Sequence, residues 1–323
     1  MKAAVMAGPG SAPSYGDFGD PVASEGREVV DLVAAGIHPV VRSVAEGRHY
    51  GSTGTWPLIP GLDAVARTAD GALVYTGYVE APYGTLAERM AVPAGMRLVL
   101  PEGADPVRIA GGVNPGLASW LPLRSRRAEV DKLGTVLVLG VTGMAGLLAV
   151  QNARELGAER VIGAGRNRAA LDRAAAAGAT AVALTGDREA DAAALAGALG
   201  DGSPSIVIDL VWGAPAEAAF LALGRRGLNE DRADISYVQI GSMAGPEASV
   251  PSTLLRSRKI RISGSGAGSA SVAGIMAQIP VYMQLIADGR VDVPTRPFPL
   301  SAVADAWTAA SGGSGPRVVV VPG

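Results

Sequence analysis

Residues 135–168 read TVLVLGVTGMAGLLAVQNARELGAERVIGAGRNR, and the reading of this stretch decides the fold. Thr135 to Leu139 is an apolar run of the length that suits a parallel strand buried on both faces. A glycine turn follows, Gly140 to Gly146, and then a helix-like segment, Leu147 to Leu156, which Gly157 can end. Arg160 to Ala164 supplies a second strand, so the stretch spells a βαβ unit.

The turn departs from the G-x-G-x-x-G spacing. Val141, Gly143 and Gly146 occupy its three positions, so the first glycine is missing. Glycines at such a turn let a pyrophosphate approach the backbone, while the helix start supplies N–H donors and positive potential. On that reading Gly140, Thr142, Gly143, Met144 and Ala145 line a dinucleotide. The bland alternative is ordinary punctuation between a strand and a helix. Sites for NAD place a carboxylate about twenty residues beyond the turn, on the ribose hydroxyls. Here that place reads Gly163-Ala-Gly165-Arg166-Asn167-Arg168, with two arginines and no acid. A guanidinium suits a 2′-phosphate that a carboxylate would repel. The expected cofactor is therefore NADP(H), bound through Gly165, Arg166, Asn167 and Arg168. Two solvated arginines opening a helix, where cations are mildly unfavourable, are the competing reading.

A chain of 323 residues exceeds one typical core, so two domains are expected. With 48 % apolar residues and a net charge of −2, it reads as a soluble globular protein with no basis for a nucleic-acid partner. Lysine occurs only at positions 2, 132 and 259, a compositional bias that lowers the weight of each single arginine. The absence of cysteine excludes disulfides, thiolate nucleophiles and cysteine-ligated metals. No signal-peptide pattern is read at the start, which favours the cytoplasm. The uncharged run Gly134 to Ala153 raises the question of a membrane span, but its glycines, Gln151 and Asn152 suit strand, turn and helix better.

Residues 1 to about 112 read as β-rich, with strands at Met1–Met6, Glu28–Ala34, Leu73–Tyr78 and Met90–Val92 and an ordered turn at Pro57–Gly61. Met96 to Gly103 reads as a connector. Asp105 to Val113 begins a helix that Asn114-Pro-Gly116 is expected to interrupt before Leu117 to Leu123. Strands then fall at 135–139, 160–164, 181–184, 205–210, 236–240 and 259–263, with alanine-rich helices at 168–177 and 187–199. Six strands interleaved with helices give a Rossmann-type, doubly wound parallel sheet. Ser269 to Ala287 reads as one helix, bent at Pro280, and Ser301 to Ala310 as another. Arg317 to Val321 is a last strand with no α/β partner nearby, so it should return to the first sheet. The expected domains are 1–112, completed by 269–323, and 113–268.

With these features the chain resembles the medium-chain dehydrogenase/reductase superfamily, and within it the zinc-independent quinone oxidoreductase branch. The carriers are Ala34-Ala-Gly-Ile-His-Pro39, Pro57-Leu-Ile-Pro-Gly-Leu-Asp63, Pro82-Tyr-Gly-Thr-Leu-Ala-Glu88, Val136 to Gly146 and Tyr237-Val-Gln-Ile-Gly241. The resemblance spans the chain and implies a β-rich, GroES-like catalytic domain beside the Rossmann domain. Zinc-dependent members have a cysteine where this chain has His38, a histidine where it has Leu62, and a four-cysteine loop that it lacks. His38 and His49 are the only histidines. A metal held by His38, Asp63 and Glu46 is conceivable, but the expectation is a zinc-free protein.

Without a metal to polarise a carbonyl, already activated acceptors are the natural substrates, namely quinones and α,β-unsaturated carbonyls. The implied reaction is hydride transfer from NADPH, with hydroxyl or backbone donors on the developing oxyanion and a late proton from tyrosine or water. Similar quinone reductases place a tyrosine in the cleft where this chain has Tyr50; a loop-closing tyrosine is the alternative. His38 stands at the lost zinc cysteine and is expected to face the cleft as a donor or proton source, against the simpler reading of a satisfied polar residue. Trp56 is expected to pack against the domain. The resemblance places Gly241 and Ser242 near the nicotinamide, with Val211 or Trp212 in the cofactor trough. Ser119 and Asn114 are possible substitutes for a threonine that touches the cofactor amide. Arg317 matches a basic position bordering the cofactor, with a surface ion pair as its rival. Ser263 to Gly268 is either a contact loop or a connector. Two further readings stay open, a biosynthetic reductase or cyclisation enzyme acting on a bulky intermediate, and a non-catalytic NADPH sensor. The strand at Ile260 to Ile262 could extend a sheet across a two-fold, so a homodimer is expected.

Overall fold

The computed structural model describes residues 1–225, 228 and 230–323. In chain order the first elements are β1 (Lys2–Val5), β2 (Ser14–Asp17), β3 (Arg27–Gly36), α1 (Pro39–Ala45), β4 (Asp63–Arg67), β5 (Leu73–Gly77), β6 (Arg89–Pro93), β7 (Leu98–Val99) and α2 (Pro106–Glu129). An alternating series follows: β8 (Thr135–Leu139), α3 (Met144–Glu155), β9 (Arg160–Gly165), α4 (Arg168–Ala176), β10 (Thr180–Ala183), α5 (Arg188–Leu199), β11 (Ile206–Asp209), α6 (Gly213–Leu223), β12 (Ile235–Gln239), α7 (Ser252–Ser257) and β13 (Ile260–Gly264). The last are α8 (Val272–Ala287), β14 (Thr295–Pro299), α9 (Val303–Ala309) and β15 (Arg317–Val321). The chain divides into two compact units, Met1–Pro115 with Ala277–Gly323, and Gly116–Met276.

The second unit holds a six-stranded sheet in the order β10-β9-β8-β11-β12-β13, parallel throughout. The period of two explains the apolar run in β8. Leu137 and Leu139 face one apolar cluster with Val207, Phe220 and Tyr237, while Val136 and Val138 face another with Val161, Ile206 and Ile208. Strand order reverses between β8 and β11, and ligands of open α/β sheets bind outside the carboxyl ends of strands at such a point.

The first unit is built on a seven-stranded sheet, β14-β15-β3-β4-β5-β7 with β6 also on β3. The strand at 317–321 returns to this sheet as expected, antiparallel to β3 and parallel to β14. β14 itself, TRPFP, gives no sequence signal of a strand, because its two prolines are tolerated only at a sheet edge. Met6, Leu32, Ile37, Met90 and Trp307 share the core of this unit, and Trp56 packs on it.

Two helical expectations are corrected. α2 runs unbroken from Pro106 to Glu129 through Pro115. The proline forfeits one helical hydrogen bond, but Ile109 and Val113 before it and Leu117, Trp120 and Leu123 after it are all buried, and that packing holds the helix together. α8 begins at Val272, three residues later than the reading from Ser269, and continues through Pro280.

Candidate functional site

In the second unit the crevice is built around the turn from β8 into α3. Gly140 takes φ +86°, and a Cβ there would stand 2.6 Å from Val211 Cγ1, so only glycine fits. Gly146 packs equally closely, since a Cβ on it would come within 2.5 Å of Val141 Cα. The missing first glycine has a physical explanation. Val141 is 1 % exposed and its side chain fills the space above Gly163, where a Cβ would lie 2.7 Å from Val141 Cγ2. The tight turn falls one residue early, on Gly140, and the next strand gives up a side chain to admit the valine.

Gly143 caps α3 through its backbone, and the first intrahelical bond runs from Leu147 N to Gly143 O, 2.9 Å. The N–H groups of Met144, Ala145 and Gly146 therefore have no intrahelical acceptor, the usual state of a first turn. Met144 is 6 % exposed, so it can offer a ligand its N–H and not its side chain. Thr142 lies over the end of β9, where a Cβ on Gly165 would be 2.5 Å from Thr142 Cγ2. The β9 end is tied to the turn by bonds from Gly140 N and Val141 N to Ala164 O, 2.9 and 3.1 Å. Arg166, Asn167 and Arg168 follow, all exposed. Asn167 Oδ1 accepts from Ala170 N at 3.0 Å as the N-cap of α4, so its side chain serves the helix. Among the described residues neither Arg166 nor Arg168 forms an ion pair. The structure thus brings the turn and the arginine segment side by side.

Across the switch point, Asp209 organises the opposite wall. Its carboxylate is fully buried; Oδ1 accepts from Val211 N and Trp212 N, both at 2.9 Å, and Oδ2 accepts from Tyr237 Oη at 2.6 Å. Burial raises the Asp209 pKa, and the bonds from Tyr237, Trp212 and Val211 oppose that rise. These bonds hold Trp212 at φ 53°, a strained conformation for a bulky residue, and so fix Val211 against Gly140. Gly241 N donates to Asp209 O at 3.2 Å, and a Cβ on Gly241 would collide with the Leu210 carbonyl. Ser242 is exposed beside it. The sequence alone points to Val211 and Trp212 but misses the Asp209–Tyr237 pair. An acid closing an apolar strand is the available signal, since a buried carboxylate demands partners.

Ser119 does not reach the crevice. It is 0 % exposed, and its hydroxyl donates to Gly116 O and accepts from Asn152 Nδ2 at 2.9 Å, so it is spent on packing α2 against α3. This corrects its assignment as a cofactor contact.

The first unit holds a buried polar cluster around Asp63. Tyr75 Oη donates to Asp63 Oδ2 at 2.9 Å and Asn114 Nδ2 to Oδ1 at 3.0 Å. His38 Nε2 stands 3.5 Å from Oδ2, too far and too poorly aligned for a hydrogen bond. His38 is 1 % exposed, its ring folded over Gly36, so it faces no cleft and cannot touch a ligand directly. Burial lowers its pKa, and Asp63 partly offsets that fall. Arg317 is no surface ion pair. It donates through Nη1 to Ile37 O at 3.0 Å, and burial lowers its pKa to about 10 against the pull of Asp63. Glu46 is engaged by Arg42 and Arg48, and no group of three or more metal-ligating side chains occurs among the described residues. Tyr50 is 76 % exposed on the loop after α1. No described helix is long and apolar enough to cross a membrane.

No family model matches the chain. Among curated proteins it is similar to the "Probable NADPH-dependent quinone reductase tdiC" of Emericella nidulans, 29 % identical over 96 % of both chains. Among solved structures it is similar to the quinone oxidoreductase of Thermus thermophilus, described alone and in complex with NADPH. That match has 27 % identity, a TM-score of 0.80, and covers 99 % of this chain and 100 % of that one. The Escherichia coli quinone oxidoreductase complexed with NADPH matches at TM-score 0.79 over 99 % of each chain, with 19 % identity, which speaks to the fold alone. In this chain a parallel six-stranded sheet is inserted, in sequence, between the two parts of a β-rich unit. Over nearly its whole length the chain is thus similar, in sequence and in fold, to NADPH-dependent quinone reductases and quinone oxidoreductases.

Proposed function

We propose that the protein is an NADPH-dependent oxidoreductase that delivers hydride to a quinone or an α,β-unsaturated carbonyl. The observation that carries this reading is the end of β9, where two exposed arginines, without an ion pair among the described residues, stand beside the glycine turn and no carboxylate intervenes. Arg166 and Arg168 would hold the 2′-phosphate, and the open N–H groups at Met144, Ala145 and Gly146 the pyrophosphate. The wall fixed by Asp209, with Val211, Gly241 and Ser242, would support the nicotinamide. NADPH supplies the hydride when bound. The chain's own work is to orient it, exclude water and offer donors to the oxygen that gains charge. Tyr50 is the candidate donor at the acceptor; His38, having no accessible surface, would act on the site only through Asp63. Arg317 is kept as a candidate cofactor contact.

Residues 1–112 with 269–323 are assigned to acceptor binding and 113–268 to the dinucleotide. A homodimer through the open edge of β13 and a cytoplasmic location belong to the same reading. The test is NADPH oxidation by purified, chelator-treated protein, with a simple quinone and a cyclic enone in parallel. Turnover of either, with NADPH strongly preferred over NADH, supports the proposal. NADPH binding without consumption of either acceptor would favour the sensor or biosynthetic reading.

A further inference from the structure

A cavity of about 430 Å³ opens in the second unit at the amino ends of the parallel strands. Thr135 at the start of β8, Ser205 just before β11, Asp234 just before β12 and Arg258 two residues before β13 all line it. The cofactor crevice lies at the other end of the same strands, beyond Leu139, Asp209 and Gln239. β8 is 5 residues long, so roughly 16 Å of strand separates the two places.

The walls carry donors that the fold leaves over. Arg126 is 2 % exposed; its Nη1 donates to Glu129 Oε2 at 2.9 Å and its Nη2 to Asp234 Oδ2 at 3.0 Å, but its Nε has no acceptor. Arg258 repeats the pattern, with Nη2 donating to Ser203 Oγ at 2.6 Å, Nη1 to Asp231 Oδ1 at 3.3 Å, and Nε again buried without an acceptor. Buried donors are nearly always paired, so two orphans on the lining of one cavity call for an acceptor there. Arg232 also lines it, and its exposed side chain forms no hydrogen bond or ion pair among the described residues; nor does Thr135 Oγ1.

Charge distinguishes an anion from water as the missing acceptor. Asp231 is shared by Arg258 and Arg225, Asp234 by Arg126, Lys259 and Arg261, and Glu129 by Arg126 and Arg261. With Arg232 added and the exposed Asp201 counted against it, cations exceed carboxylates by two. The volume is that of a small-molecule site and far more than a bare ion needs.

We propose that this cavity is a second ligand site, separate from the cofactor crevice, for a small organic phosphate monoester. Such a group carries close to two negative charges at neutral pH and offers several acceptor oxygens. Arg232 anchors the phosphate, Thr135 Oγ1 donates to it, and Arg126 and Arg258 turn their remaining N–H groups toward its oxygens. The organic part takes the space beside Pro204 and Ala233.

The test is isothermal titration with glycerol 3-phosphate at physiological ionic strength. The full chain carries Arg166→Ala and Arg168→Ala, so that the arginines beside the glycine turn cannot account for the binding. Saturable binding is expected with glycerol 3-phosphate and none with glycerol. Adding Arg232→Ala should weaken it about tenfold, the scale of one charged hydrogen bond, and Arg232→Lys by less. Arg232 has no partner to lose, so its variants should melt with their parent, and Arg232→Ala alone should bind NADPH as the wild type does. No saturable binding up to millimolar concentration, equal binding of glycerol, or binding unmoved by Arg232→Ala would overturn the site. Failure of the oxidoreductase reading would leave this result standing, because no turnover is measured.

Discussion

Substituting Gly163 with alanine probes why the turn tolerates a valine where its fingerprint asks for glycine. The new Cβ would meet Val141 at three points, 2.7 Å from Cγ2, 3.1 Å from Cβ and 3.2 Å from Cγ1. Carbon atoms prefer about 3.5–4.0 Å, and the contact to Cβ cannot be relieved by turning the side chain. β8 and β9 are hydrogen-bonded neighbours, so the backbones have little room to part. Overpacking of this kind costs about 1–3 kcal/mol, and the entropy that alanine removes from the unfolded chain returns about 0.4–1 kcal/mol. Val141→Ala alone removes buried methyls and should also destabilise, by about 1–3 kcal/mol. In the Gly163→Ala background, however, the same change opens the needed space. The double variant should be more stable than Gly163→Ala alone, with a coupling of about 1–3 kcal/mol. Urea unfolding followed by far-ultraviolet circular dichroism and by tryptophan fluorescence reads it, two probes being needed because a two-unit chain need not melt in one step. Additive effects, or a neutral Gly163→Ala, would refute the complementarity of these two residues.

Arg166→Ala should weaken NADPH binding by about 1–3 kcal/mol and leave NADH nearly untouched, as read by calorimetric titration; equal losses for both cofactors would remove the 2′-phosphate assignment. Tyr237→Phe strips Asp209 Oδ2 of its partner in a fully buried setting, so stability should fall by about 1–3 kcal/mol and the NADPH Kd should rise, both measurable by titration and thermal melting. Ser119→Ala should lower stability by about 1 kcal/mol through the loss of its bond from Asn152 while the NADPH Kd stays put; a raised Kd would return Ser119 to the cofactor site. The depressed pKa of His38 sets a pH dependence. The unfolded chain takes up a proton near pH 6.5 that the folded chain refuses, so stability is full above that pH and declines as pH falls below it. His38→Asn should flatten most of this slope in unfolding titrations between pH 7 and 5, leaving a remainder from His49, whose pKa burial also lowers.

How much of this was legible in the sequence depended on whether the signal was local. The parallel sheet was readable because each strand buries both faces, which writes a continuous apolar run. The return of 317–321 to the first sheet followed from its having no helix or strand beside it to pair with. The Pro57–Asp63 turn motif hides β4, since Asp63 belongs to the strand and to a polar cluster that no short window contains. The continuity of α2 through Pro115 is decided by packing on both sides of the proline, which local propensity cannot weigh. Position in chain and motif points His38 and Ser119 to exposed roles. Their burial depends on Gly36, Ala110 and Asn152, residues that are close only after folding. The Asp209–Tyr237 bond joins residues 28 apart and was invisible for the same reason.

The place of β15 has a consequence for synthesis. It lies between β14 and β3, so the seven-stranded sheet has a gap until Arg317–Val321 have been made. The second unit is contiguous, Gly116–Met276, and can close around its own sheet while the ribosome is still working. The first unit cannot. For the whole of that time the Ala35–Gly36 end of β3, beyond the Arg27–Asp31 stretch that β6 covers, presents a short unpaired edge of the kind that recruits other strands. A chaperone that binds extended apolar segments would be expected to meet the nascent protein there, and translational pausing after residue 276 would lengthen the exposure.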